Sequence, residues 1–131
     1  LRITADTNVL VRATLRDDAD QTEAARRLLL AAQSVAIPLA VFCEFAWVLG
    51  RGYRYSKAQI GLAIRQYLMS AEVVTDREAV EAGLAFLDLG GDFADGVVAH
   101  EGRTLGGAYF ASFDRKALKL LTQQGHKTIE P

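Results

Sequence analysis

The sequence predicts an α/β domain built on a mostly parallel sheet with helices on both faces. Three observations carry that prediction. Short strand-like runs alternate with helical patterns along the whole chain. The helical stretches are long enough to cross from one parallel strand to the next. No repeat, low-complexity tract or linker interrupts the alternation, so the 131 residues read as one domain, 1–131, around a single core.

Taken in order, "LRITA" is a strand that ends at Asp6. Asp20 followed by Glu23 has the spacing of a capping box and opens a helix over "QTEAARRLLLAA". "SVAIP" is a second strand, stopped by Pro38, and a helix from Leu39 follows directly. Gly50 is placed to end that helix as its C-cap. Ser56 and Gln59 form another cap pair ahead of "KAQIGLAIRQYLM", and "EVV" is a third strand. Thr75 and Glu78 cap a helix whose Val80, Leu84 and Leu87 share one face. "GGDFADGVVAHEGRTLGG" is a helix bracketed by glycine pairs. "AYFASF" is a strand ending at Asp114, "RKALKLLTQQ" a helix closed by Gly125, and "KTIE" the last strand. In an open sheet of this kind the ligand crevice lies beyond the C-terminal ends of the strands, where Asp6 and Asp114 stand. The pattern does not reveal the strand order.

Composition narrows the function. A formal net charge of −1 argues against a protein that grips nucleic acid by bulk positive charge, though not against one that meets it at a local site. Half of the residues are hydrophobic, which suggests an apolar face reserved for a partner. The single Cys43 has no internal disulfide partner, and core packing in a reduced, cytoplasmic protein is its expected role. No signal-peptide pattern is visible at the N-terminus, and the longest apolar run is too short to span a bilayer.

That run contains the most informative residue. From Ala40 to Leu49 every residue except Glu44 is apolar. A helix apolar on most sides is expected to be buried, and a buried carboxylate must be paired, neutralised or bound to a cation. Glu44 joins Asp6, the pair Asp92 and Asp95, and Asp114 as an acidic constellation. Each acid also has a local explanation. Asp6 can cap a turn, Asp114 can N-cap the last helix, Asp92 with Asp95 can imitate a capping box, and Glu44 can pair with a buried Arg. Those explanations leave open why carboxylates recur at strand ends and within an apolar helix. A divalent cation accounts for all of them, because clustered carboxylates take up protons unless positive charge is supplied. Mg²⁺ or Mn²⁺ prefers such hard oxygen ligands. Zinc is disfavoured, since His100 and His126 are far apart in sequence and have no Cys partner at ligand spacing. A carboxylate-held metal suits phosphodiester cleavage by an activated water, with a carboxylate available as general base.

The segments "DTNVLVR", "VFCEFAWVL", "GDFADGVVA" and "ASFDRKA" together resemble a PIN-domain ribonuclease of the VapC toxin type, in order and over essentially the whole chain. The resemblance implies a five-stranded parallel sheet of order 3-2-1-4-5, which would bring Asp6 and Asp114 together. Residue by residue, it implies catalytic and metal-binding roles for Asp6, Glu44, Asp95 and Asp114. Asp92 would stand beside the site, with Thr7, Asn8 and Ser112 as polar supports. It also implies Mg²⁺ or Mn²⁺ as cofactor, RNA as substrate, a homodimer, and a small VapB-like antitoxin that covers the groove. Gly96 departs from the pattern, where alanine is expected, at a cost of up to about 1 kcal/mol to the helix. "RGYRY", residues 51–55, mixes cations and aromatics that suit RNA or the antitoxin, against the alternative of an ordinary exposed loop.

Rival readings differ at named positions. A PIN nuclease of RNA processing would share the acids without the toxin role. A phosphoacceptor signalling domain needs adjacent acids after the first strand, and "ADTN" has one. An aspartyl phosphatase needs D-x-D there, and Asn8 holds the second place.

Overall fold

Five strands of two or three residues and seven α-helices alternate along the chain, as the patterning requires. The computed structural model describes residues Leu1–Pro131, in two compact units, 1–76 and 77–131.

In the first unit, β1 (Arg2–Thr4), β2 (Ser34–Ala36) and β3 (Val73–Val74) form a parallel sheet in the order β1-β2-β3. Ile3 stands opposite Val35, and Val35 opposite Val73, so half-buried Ile3 aligns with the buried valines of β2 and β3. Helices α1 (Thr7–Thr14), α2 (Ala19–Ala31), α3 (Leu39–Trp47) and α4 (Lys57–Leu68) complete the unit. Helix α1 was not evident from the patterning. It is a short amphipathic helix that buries Leu10 and Val11, and it packs on α2 and α3. Fully buried Leu10, Ile37, Phe42, Phe45, Leu49 and Ile64 form the centre of this unit's core.

Three helix ends differ from expectation, each for a local reason. Asp18, not Asp20, caps α2, its carboxylate accepting the N–H of Gln21 at 3.1 Å. Gly50 does not end α3. The chain passes instead into a π-helical turn, Val48–Gly52, with Leu49 fully buried and its carbonyl accepting Tyr55 N–H at 2.9 Å. Thr75 does not cap the following helix, because its hydroxyl is buried without a hydrogen-bond partner. The box at Ser56 and Gln59 forms in full, each side chain accepting the other's backbone N–H.

The second unit contains α5 (Arg77–Asp88), α6 (Phe93–Thr104), β4 (Tyr109–Ala111), α7 (Arg115–Gln123) and β5 (Lys127–Ile129). β4 and β5 pair in parallel, and Phe86, Ala99, Ala117 and Leu121 are buried together with Phe110 and Leu120 against them. The strands form two sheets, of three and two strands, and the order 3-2-1-4-5 implied by the resemblance is not drawn as one ladder. Strands this short carry few ladder bonds, so each sheet is held mainly by the helices of its own unit.

Gly96, unexpected from the sequence, has a packing reason. A Cβ there would lie 2.6 Å from Phe86 Cβ, 2.8 Å from the Ala82 carbonyl oxygen and 2.9 Å from Gly83 Cα. Its hydrogen atom lets the first turns of α6 lie against the backbone of α5. No helix is long and apolar enough to cross a membrane.

Candidate active site

The close α5–α6 contact fixes where α6 begins, and with it two acids. Asp92 precedes the helix in extended backbone (φ −87°, ψ 137°), its carbonyl accepting Asp95 N–H at 3.1 Å. Its carboxylate makes no capping hydrogen bond, so the capping-box alternative does not describe it. Asp95 lies in the first turn, half-buried, where the helix dipole favours negative charge.

Asp114 arrives from the other side. It follows β4 and caps α7, its carboxylate accepting Ala117 N–H at 3.0 Å. Ser112 Oγ accepts the N–H of Asp114 at 2.9 Å and so holds the turn between strand and helix. The capping alternative for Asp114 is thus real, and it coexists with a second placement. Asp92, Asp95 and Asp114 all line one cavity of about 40 Å³, with Lys116 at its wall. Lys116 was not singled out from the sequence. Its only signal is its place in the first turn after Asp114, which any surface lysine can share.

The three acids interact. Burial raises the Asp95 carboxyl above its ordinary value, and the charges of Asp92 and then Asp114 push it further the same way. This crowding is the condition under which a hard divalent cation would stabilise the ionised forms. The donor chemistry fits Mg²⁺ or Mn²⁺, because the acids present only carboxylate oxygens. No three His, Cys, Asp or Glu side chains are drawn together closely enough to hold an ion as they stand.

Asp6 and Glu44 belong to the first unit. Asp6 ends β1 and starts α1, its carbonyl accepting Val9 N–H at 3.0 Å, while its carboxylate makes no capping bond. Thr7 is buried and Asn8 exposed in the first turn of α1. Glu44 corrects the expectation of burial. Helix α3 buries Phe42, Phe45 and Ala46 on one side, and Glu44 stands exposed with Ala40 and Trp47 on the other. No Arg or Lys forms an ion pair with it, so the structural-pair alternative is not realised. Cys43 is in no disulfide and is half-buried rather than a full core residue.

The two uses of Asp114 separate by substitution. Asp114→Ala removes the cap and is expected to cost about 1 kcal/mol, whereas Asp114→Asn keeps a good cap and costs a few tenths. Urea unfolding of the two variants checks this. Equal losses would mean the cap contributes nothing.

The PIN domain family model matches residues 3–121. No match is found among curated proteins.

Proposed function

The chain belongs to the PIN domain family, whose members are generally metal-dependent nucleases, and from that premise we propose that it is a Mg²⁺- or Mn²⁺-dependent endoribonuclease acting as a VapC-type toxin. The observation that carries the reading is the convergence of Asp92, Asp95 and Asp114 on one cavity, with the Asp95 carboxyl raised above its ordinary value by burial first and then by the charges of the other two. Asp95 and Asp114 would hold the metal with Asp6 and Glu44, and Asp92 would stand beside them. Bound there, the metal would acidify a water and offset charge on the phosphate. The chain's own residues orient the acids: α5 fixes the start of α6, and Ser112 fixes the turn at Asp114. Thr7 and Asn8 would support Asp6.

The same reading takes residues 1–131 as one PIN domain, since the family match runs through both units. Strand neighbours within the two sheets, 1-2-3 and 4-5, agree with the family order 3-2-1-4-5. A homodimer and a VapB-like antitoxin belong to the proposal too. Exposed Trp47 and Phe113, 64% and 74% accessible, favour apolar partner contacts.

The test is RNA cleavage by the purified full chain. Cleavage is expected with Mg²⁺ or Mn²⁺ and is expected to stop in EDTA. Expression alone should arrest growth, and co-expression with a short adjacent reading frame should relieve the arrest. Cleavage that persists in EDTA would overturn the metal assignment. Metal-dependent cleavage without growth arrest would leave a nuclease of RNA processing.

A further inference from the structure

A second pocket lies in the same unit, along β4. It has a volume of about 200 Å³; Arg103, Tyr109, His126 and Lys127 supply its polar groups, and glycines and small or apolar side chains of α6 and β4 form the rest of the wall. No Asp or Glu lines it. We propose that this pocket binds a phosphate group, either free phosphate or a backbone phosphate of RNA.

The cations reach it from different elements. Arg103 extends from the last turn of α6 and donates from one Nη to the Gly125 carbonyl at 3.1 Å. That bond uses one of the guanidinium's five donors and orients the rest. Lys127, at the start of β5, carries its ammonium 5.8 Å from the centre of the Tyr109 ring on β4. His126 precedes it. Burial lowers the His126 imidazole below its ordinary value, and the charges of Arg103 and His100 lower it further. His100 and His126, distant in sequence, are thus close enough in the fold to repel each other when charged. Positive groups gathered without a counter-charge are stabilised by an anion. A phosphate has enough acceptor oxygens to meet guanidinium, ammonium and imidazole together. The pocket is separate from the aspartates, and its occupancy does not depend on the nuclease reading.

The test follows the His126 ring signals of the full chain by NMR through a pH titration, in EDTA so that no RNA is cut. The probes are inorganic phosphate, a short oligouridine without terminal phosphates, and acetate at matched ionic strength. The groups facing His126 are Arg103 and His100 on α6, Tyr109 on β4 and Lys127 beside it. An anion that neutralises their field must raise the His126 titration midpoint. Phosphate or oligouridine is expected to raise it, and acetate is not. Response to phosphate alone assigns the free anion, and response to the oligouridine assigns a backbone phosphate.

Arg103→Gln and Lys127→Gln each remove a charge-assisted hydrogen bond and are expected to weaken binding roughly tenfold or more. Arg103→Gln should also raise the midpoint before any anion is added. Lys119→Gln removes an exposed charge from α7 and serves as the control, with binding unchanged. The proposal is overturned if neither phosphate nor oligouridine moves the midpoint, if acetate moves it equally, or if both pocket variants bind like wild type.

Discussion

Gly96→Ala is expected to destabilise the protein by about 1–3 kcal/mol, the range typical of overpacking a close contact. Helix propensity predicts the opposite sign, a gain of up to about 1 kcal/mol. The structure decides between them because two of the three atoms the new Cβ would meet belong to the backbone, Ala82 O at 2.8 Å and Gly83 Cα at 2.9 Å. A flexible side chain can swing away from a methyl group, but the backbone of α5 can move only by shifting the helix. Gly83 is tight from the other side, where a Cβ would lie 2.7 Å from Phe93 and Val97. Gly102 supplies the contrast within α6, since nothing lies within 4 Å of a Cβ placed there. Gly102→Ala should therefore raise stability by about 0.4–1 kcal/mol. Urea unfolding of the two variants reads both signs. A Gly96→Ala variant as stable as wild type would mean that α5 and α6 are not in close contact.

Asp95→Asn is expected to abolish RNA cleavage while leaving the metal-free protein at least as stable as wild type at neutral pH. Losing a metal-holding carboxylate should reduce cleavage by more than the roughly 100-fold cost of disturbing a metal's outer-shell partners. The stability half follows from proton linkage. The Asp95 carboxyl is raised in the folded chain, so between its ordinary and its raised value the native state binds more protons than the unfolded one. Stability then falls as pH rises through that window, and above it the ionised Asp95 is a net cost to folding. Asparagine removes the charge and with it this pH dependence. In EDTA the two proteins should converge at acid pH, where Asp95 is protonated, and separate in favour of Asp95→Asn as pH rises. A variant that is less stable at neutral pH would make Asp95 a structural residue. One that cleaves at the wild-type rate would remove it from the metal site.

Local patterning made much of the fold legible. Each of the five strands was evident from a short β-branched or aromatic run, and each lies within the segment that predicted it. The box at Ser56 was readable because both of its partners lie within four residues. Helix α1 was not, since its eight residues offer barely two turns of periodicity. Asp92, Asp95 and Asp114 were identified as candidates from their flanks, and the fold brings these three to one cavity. Glu44 was misread as buried because composition reports how apolar a helix is, not which of its sides a partner element covers. Helix α3 has one side buried, and Glu44 is on the other.

The sequence by itself determined the alternation of strands and helices, the acids after the strands, and the carboxylate chemistry suited to a hard cation. These depend on residues near one another in the chain, where spacing is information. Only the tertiary structure decided why Gly96 is glycine, that Lys116 joins the aspartates, and that His100, Arg103, His126 and Lys127 share a neighbourhood. Those relations join residues on different elements, and their energies depend on distances of a few ångströms that no spacing along the chain specifies.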